Sequence, residues 1–421
     1  MRTVLLVLLL FAQALADPVL DQVVPGALEH YRWFHGHPEL SNQEEHTAAY
    51  LAAELRKLGL EVETGIGGHG LVGVLRGQGP GPVVLYRADM DALPVTEATG
   101  LAYASTNNGV MHACGHDLHL AVALASLAVM ARQRDWPGTI LFVGQPAEEV
   151  GRGARAMLAD PRLIELLGRV GRPGAALALH DSATMPVGQV AVTGGFVSAN
   201  VDSVDILIHG LGGHGAHPET TVDPIVIGAE TVLALQTIVS RKLAPGTRAV
   251  VTVGRFSAGT KHNIIPSQTL LQLTVRSYED EVRARLLEEI EAVAVGVART
   301  HGAPRDPEVT SSEEYTRAGY NDPQLTERIA QVFKPLLGPE GLAPDGEPSM
   351  GGEDFFEFPH QLGCPGMMFS LGAAAPESLA QPNPPGLHSD RWSPAAEPAL
   401  RLGTQLMVAA LREVLGARAT D

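Results

Sequence analysis

From Leu118 to Arg132 the chain is an Ala/Leu-rich run, LHLAVALASLAVMAR, that reads as a buried helix. Shortly after it, Thr139 to Gly144 (TILFVG) reads as a central strand. Elements this apolar need cover on more than one side, and that requires a layered fold. The neighbouring segments supply the layers. Residues 20–59 read as a helix, a His/Pro turn and a second helix, with Gly59 as the stop after Thr47–Leu58. Leu71–Arg76 and Val83–Arg87 are short β-rich runs separated by the turn signal GQGPGP. Strands alternating with helices predict a mostly parallel sheet with helices on both faces, and in such sheets chemistry gathers at the carboxyl ends of the strands.

The texture changes near residue 197. Val201–His209 (VDSVDILIH) alternates apolar and polar residues, as a half-exposed antiparallel strand does. A Gly-rich loop, a helix at about Pro224–Ser240, alternating strands at Ala249–Phe256 and Gln268–Ser277, and a charged helix from Glu279 to about Thr300 follow. This order predicts a compact α+β insert over 197–311, between α/β segments at 17–196 and 312–421. The 421 residues fit two domains, or one with a large insert, at roughly 150 residues each.

A net charge of −17 argues against a nucleic-acid partner and gives no attraction to anionic lipid. Two cysteines cannot form a disulfide scaffold. Met1-Arg2-Thr3, the apolar run Val4–Ala12 and Ala14-Leu15-Ala16 match a signal peptide, so residues 1–16 are expected to be cleaved and the protein exported. The short positive start and the lack of N-x-S/T sequons fit a periplasmic destination, with secretion as the other. No segment after the leader reads as membrane-spanning.

The sharpest chemical feature is His112-Ala113-Cys114-Gly115-His116-Asp117-Leu118-His119. A thiolate and an imidazole two residues apart, at a Gly bend before a helix, can face one centre. That donor mixture suits Zn, Co or Ni better than Mg or Ca. Asp117 can cap the helix and hold the His116 ring. A loop with a buried Cys and solvated His residues is the other reading. Pro146-Ala147-Glu148-Glu149 comes just after the TILFVG strand. One carboxylate can ligate a metal while the other activates water, although a solvated acidic loop looks the same. Asp89 and Asp91 lie past a strand end, as supporting partners or ordinary turn acids. His180, His388 and the pair Glu353-Asp354 are single candidates at predicted strand ends. The insert adds His214 on a Gly-rich turn, Asn263, and Arg276, whose fork suits a substrate carboxylate. A turn with surface polar groups would also account for these three.

Taken together, HPE at 37–39, RADMDALP, HACGHDLH, PAEE, ALH ending at His180, GGHGAHP, NIIP, GGEDF and LH at 388 resemble the M20 metallopeptidase family. The likeness is to its amidohydrolase branch of hippurate hydrolases, aminoacylases and indole-acetyl-amino-acid hydrolases. The motifs run in the family's order over nearly the whole chain after the leader. The resemblance implies a catalytic α/β domain interrupted by a smaller dimerisation or lid domain, and a homodimer. It implies that Cys114, His116, Glu149, His180 and His388 bind two divalent metals, Mn or Zn with Co or Ni as further options. Glu148 would be general base and acid, and His214 would reach a neighbouring subunit's site to stabilise the oxyanion. Asn263 and Arg276 would hold the substrate's carboxylate end. Cys114 stands where other members place a bridging aspartate, and Asp89 replaces their ligand histidine. The expected reaction is hydrolysis of an N-acyl amino acid by a metal-activated water. A dipeptidase or exopeptidase of the same fold, a non-catalytic metal or amino-acid binder, and a Cys114–Cys364 disulfide are the competing readings.

Overall fold

The computed structural model describes residues 18–312, 315–338, 340–344 and 346–416. The leader read at 1–16 lies outside them. The chain forms two compact units. The first holds the described residues up to Gly195, Tyr320–Glu347 and those from Asp354 onward; the second is Phe196–Gly319 with Pro348–Glu353.

The first unit opens with two helices, α1 (Pro18–Gly36) and α2 (Glu45–Lys57), as the sequence predicts. Strands β1 (Glu61–Ile66), β2 (Gly70–Arg76) and β3 (Val83–Asp89) follow, then helix α3 (His116–Arg132) and strand β4 (Thr139–Gln145). Short helices α4 (Gly153–Ala159) and α5 (Pro161–Val170) lead to the long strand β5 (Ala175–Pro186) and the two-residue β6 (Val190–Ala191).

The second unit is built from β7 (Asn200–His209), β8 (Gly213–His214), α6 (Pro224–Thr237), β9 (Val250–Ala258), β10 (Ile264–Ile265), β11 (Gln268–Ser277), α7 (Asp280–Thr300) and β12 (Glu308–Ser311). The chain then completes the first unit with α8 (Pro323–Leu337), α9 (Glu357–Leu362), β13 (Gly366–Ala374) and α10 (Ala396–Leu415).

The first unit's sheet has seven strands in the order β1-β2-β4-β3-β5-β13-β6. Its four central strands are parallel, with antiparallel pairs at both edges. Every residue of β3 and β4 is buried. Helix α3 is buried from His116 to Met130, lying on β3 and β5 and covered by α1 and α10. That explains its lack of a polar face: each side meets apolar neighbours, and burial stabilises it by about 25 cal/mol per Å² removed from water. The sequence reading missed β1, whose segment EVETGI is mostly half-buried, with a single buried residue, and gives little alternation.

In the second unit the order is β9-β11-β7-β12, all antiparallel. One face of this sheet packs Val204, Ile206, Leu271 and Leu273 against Ile227 and Leu235 of α6 and Leu286 and Ile290 of α7. The stretch Pro224–Lys242 is long and apolar enough to cross a membrane by length and composition, contrary to the expectation that no segment after the leader is. Its apolar character has two uses in the structure: Ile227, Leu235 and Ile238 fill the core, while Val226 and Leu233 are exposed.

Candidate metal centre

Parallel strands deliver their carboxyl ends to one edge of the sheet, and the loops there carry the candidate residues of the first unit. Gly115 makes the bend before α3. It is left-handed (φ +79°), and a Cβ there would lie 2.3 Å from the Asp181 carboxylate, so only glycine fits. The bend puts Cys114 and His116 on either side of that carboxylate's turn. Glu148 and Glu149 follow the end of β4, and His180 lies on β5. His388 lies past the end of β13, with φ +67° and its amide bonded to the Ala113 carbonyl at 2.7 Å.

These loops bring the ligand candidates into two overlapping groups. Cys114, His116 and His180 form one, and Cys114, Glu149 and His388 the other, with the potential ligand atoms of each group within 4.8 Å of one another. Cys114 Sγ is 3.7 Å from His180 Nε2 and 3.3 Å from His388 Nε2. Glu149 Oε2 is 3.7 Å from His388 Nε2. Glu148 forms a further such group with His116 and Glu149, 3.9 Å from His116 Nε2. Cys114 and Cys364 are free thiols, so no disulfide joins them.

The donors are prepared by their outer partners. His116 Nδ1 donates to the Asp91 carbonyl at 2.9 Å, and His180 Nδ1 to the Asp181 carbonyl at 2.8 Å. Each bond puts the proton on Nδ1 and leaves Nε2 with its lone pair facing the cluster. His116 Nε2 and Glu149 Oε1 are buried and make no hydrogen bond. Such orphaned groups are costly unless something else satisfies them. Burial opposes a charged His116 ring, yet Asp89, Asp91 and Glu149 raise it to about 9. Burial and the nearby Glu149 and Glu148 push the Cys114 thiol up well above its usual range. A set of acids that raises histidines and suppresses a thiolate is short of positive charge. A divalent cation supplies that charge and reverses the thiol's preference. The residues therefore fit a metal pair.

Asp117 differs from expectation. Gly115 occupies the N-cap of α3 and Asp117 lies inside its first turn. The Asp117 carboxylate accepts from Leu118 N at 2.9 Å and from His35 Nδ1 at 2.7 Å, not from the His116 ring. The reason is that α3 starts two residues earlier than the sequence suggests and so turns Asp117 toward α1. Asp91 makes two connections to the cluster: its carbonyl accepts from His116 Nδ1 at 2.9 Å and its carboxylate accepts from Glu149 N at 3.0 Å. Asp89 is spent on Arg87 at 2.6 Å and His119 at 2.7 Å. Asp354 supports the β4 end, accepting from Gln145 Nε2 at 2.5 Å and Ala154 N at 3.0 Å, so it is a strut below the centre.

Sequence reasoning passed over Asp181, His119's bridging role, His35 and Glu44. His119 bonds Asp89 through Nδ1, and its Nε2 accepts from Asp181 N at 2.9 Å, which steadies the residue that orients His180. These contacts join residues 62 or more apart, except for His119 to Asp89 at 30, so no local pattern announces them.

In the second unit, β8 pairs with β10, opposing His214 to Ile264, and Gly215 N bonds the Asn263 carbonyl at 2.9 Å. His214 and Asn263 thus share one small ladder. Arg276 is held by Thr274 Oγ1 at 3.0 Å and the Met350 carbonyl at 3.3 Å.

The profile of the peptidase family M20/M25/M40 matches residues 85–413. YhaA of Bacillus subtilis, provisionally named an amidohydrolase, is 40% identical over 84% of this chain and 87% of its own. The N-acetylcysteine deacetylase of the same organism is 34% identical over 83% and 89%. The crystal structure of YXEP from Bacillus subtilis, described as a dinuclear metal-binding M20 peptidase, superposes with a TM-score of 0.77 at 29% identity, covering 94% of this chain and 100% of that one. With this extent of match and the donor set at the strand ends, the chain belongs to the M20 peptidase family of metal-dependent hydrolases.

Proposed function

We propose that this protein hydrolyses the amide bond of N-acyl amino acids, with Glu148 as general base and acid. One observation carries the reading. In the group of Cys114 and His388 the carboxylate is Glu149, while the almost buried Glu148 carboxylate stands with His116 and Glu149 on the other side of the cluster, close enough to reach a water there. Divalent ions held by Cys114, His116 and His180 and by Cys114, Glu149 and His388, of which Mn and Zn are the first candidates and Co and Ni the next, supply Lewis acidity and a water of lowered pKa when bound. Glu148 takes the proton of the attacking water and returns it to the leaving amine. His214 donates to the developing oxyanion, and Arg276 with Asn263 holds the free carboxylate of the substrate.

The deacetylase relatives support the acyl amino acid as substrate: their names specify N-acetylcysteine and N-acetyldiaminopimelate. An exopeptidase is the second reading, favoured by a 35% identical thermostable carboxypeptidase of Saccharolobus solfataricus. A panel of N-acyl amino acids and dipeptides, assayed with metal-loaded protein, separates the two. Glu148→Gln is expected to keep two metals per chain and to lose at least ~10²-fold in turnover. Glu149→Gln is expected to lower metal content instead. Near-normal turnover in Glu148→Gln overturns the assignment.

A further inference from the structure

Ala147, immediately before Glu148, has a left-handed backbone (φ +53°) although it is not glycine, and it is buried. Alanine resists this conformation because its Cβ crowds the carbonyl oxygen, so the neighbours must impose it. The tie that does so comes from a distant part of the chain. Ala147 N donates to Glu44 Oε1 at 2.8 Å, while Gly153 N and Arg152 N hold the Ala147 carbonyl at 3.2 and 3.3 Å. Gly153 has no room for a Cβ against the Pro146 carbonyl, so the loop is closed tightly on that side.

Glu44 makes this bond from a buried position. It occupies the N-cap of α2, yet its side chain makes no cap bond to its own helix. It is fully buried, and its second oxygen, Oε2, has no hydrogen-bond partner. Asn42, two residues earlier, is also left-handed (φ +64°), a conformation that asparagine adopts readily, and it turns the chain into α2. Burial raises the Glu44 carboxyl above its usual range although backbone amides, that of Ala147 among them, bond it, and a buried carboxylate with an orphaned oxygen is costly to a fold.

Resting on the assignment of Glu148 as the base, we propose that Glu44 is a positioning residue that aims Glu148 by locking the left-handed bend at Ala147. The two glutamates depend on this lock unequally. Glu149 has its own anchor, its amide bonded to Asp91 Oδ2 at 3.0 Å. Glu148 directly follows Ala147, and its carbonyl accepts from Gly151 N at 2.7 Å inside the same loop, so a change in the Ala147 backbone redirects Glu148 first. Losing the Glu44 tie should therefore misdirect the base and spare the metal ligand.

Three variants test this: Glu44→Ala, Glu44→Gln and the double variant Glu44→Ala with Ala147→Gly. Each is loaded with Mn or Zn and assayed on N-acetyl-L-methionine. Glu44→Ala is expected to lose about ten- to a hundred-fold in kcat, the scale of a reacting group displaced by an ångström. Its KM should stay within about threefold and its metal content at the wild-type value. Glu44→Gln keeps an acceptor for Ala147 N and should recover most of kcat. In the double variant glycine adopts the bend without the tie, so kcat should recover in part. Hydrogen exchange on the metal-free protein gives a readout independent of turnover: the Ala147 amide should be protected in wild type and in Glu44→Gln, and exposed in Glu44→Ala. If Glu44→Ala does not fold, Glu44→Asp, one methylene too short to reach, takes its place. Unchanged kcat in Glu44→Ala, equal impairment in Glu44→Gln, or unchanged exchange at Ala147 overturns the proposal. Glu148→Gln run alongside separates the two failures: if it is active, the base assignment falls, while the exchange data still judge the Glu44 tie.

Discussion

His35 is buried between two carboxylates, with Nδ1 on Asp117 at 2.7 Å and Nε2 on Glu97 at 3.1 Å. Burial works against its charge, but Asp117 and Glu97 more than compensate and raise it to about 9. A histidine whose folded value lies above its unfolded value of 6.5 gives its full stabilisation below pH 6.5 and loses it as pH rises through about 9. His35→Gln should therefore lower the melting temperature clearly at pH 6.5 and hardly at pH 9.5. Melting curves at the two values check this, and an equal drop at both would show that the charge of His35 does not stabilise the fold. The ligand residues follow a different rule. Protons compete with metal for thiolate, imidazole and carboxylate, so dialysis at about pH 4 should strip metal and return to neutral pH with metal should restore it. Metal analysis after each step gives the answer.

At the scale of elements, the Gly115 bend joins two demands: a left-handed backbone and room for the Asp181 carboxylate. Gly115→Ala violates both, and a loss of about 2–4 kcal/mol is expected, together with reduced metal content because Cys114 and His116 flank the bend. Denaturant unfolding and metal analysis measure the two effects separately. Much of this architecture was legible beforehand because the central elements carry strong one-dimensional patterns. The run at 118–132 and TILFVG are apolar on all sides, Glu149, His180 and His388 were read at strand ends, and the gathering of these with Cys114 and His116 was an expectation from the family resemblance. The illegible parts are long-range. The Glu44 to Ala147 bond spans 103 residues and His35 to Asp117 spans 82, and neither leaves a mark in local spacing. The start of α3 was misplaced for a local reason: aspartate is a common cap, but here a left-handed glycine precedes the helix. The strand at 61–66 was missed because a half-buried edge strand rich in Glu, Thr and Gly has little apolar signal.

For the whole molecule, the exposed Val226 and Leu233 of α6 and Phe256 of β9 give the second unit an apolar surface that supports the proposal of a homodimer. In that proposal His214 serves the neighbouring chain. Mixing Glu148→Gln with His214→Ala tests it, since a mixed dimer holds one site with both groups intact; partial recovery of activity is expected, and exchange proven by mass without recovery counts against it. The Pro348–Glu353 excursion into the second unit was not foreseen, because no change of composition marks so short a segment. The ligand set also has a kinetic side. Cys114 and His388 are 274 residues apart, and the four contributing loops meet only when β13 has joined the sheet beside β5. Closing so long a loop is slow relative to local pairing, so the centre should be among the last features to assemble during folding. Metal uptake would then act as a receipt for a finished chain: a refolding protein, or one halted short of residue 388, could acquire most of its sheet and still hold metal poorly.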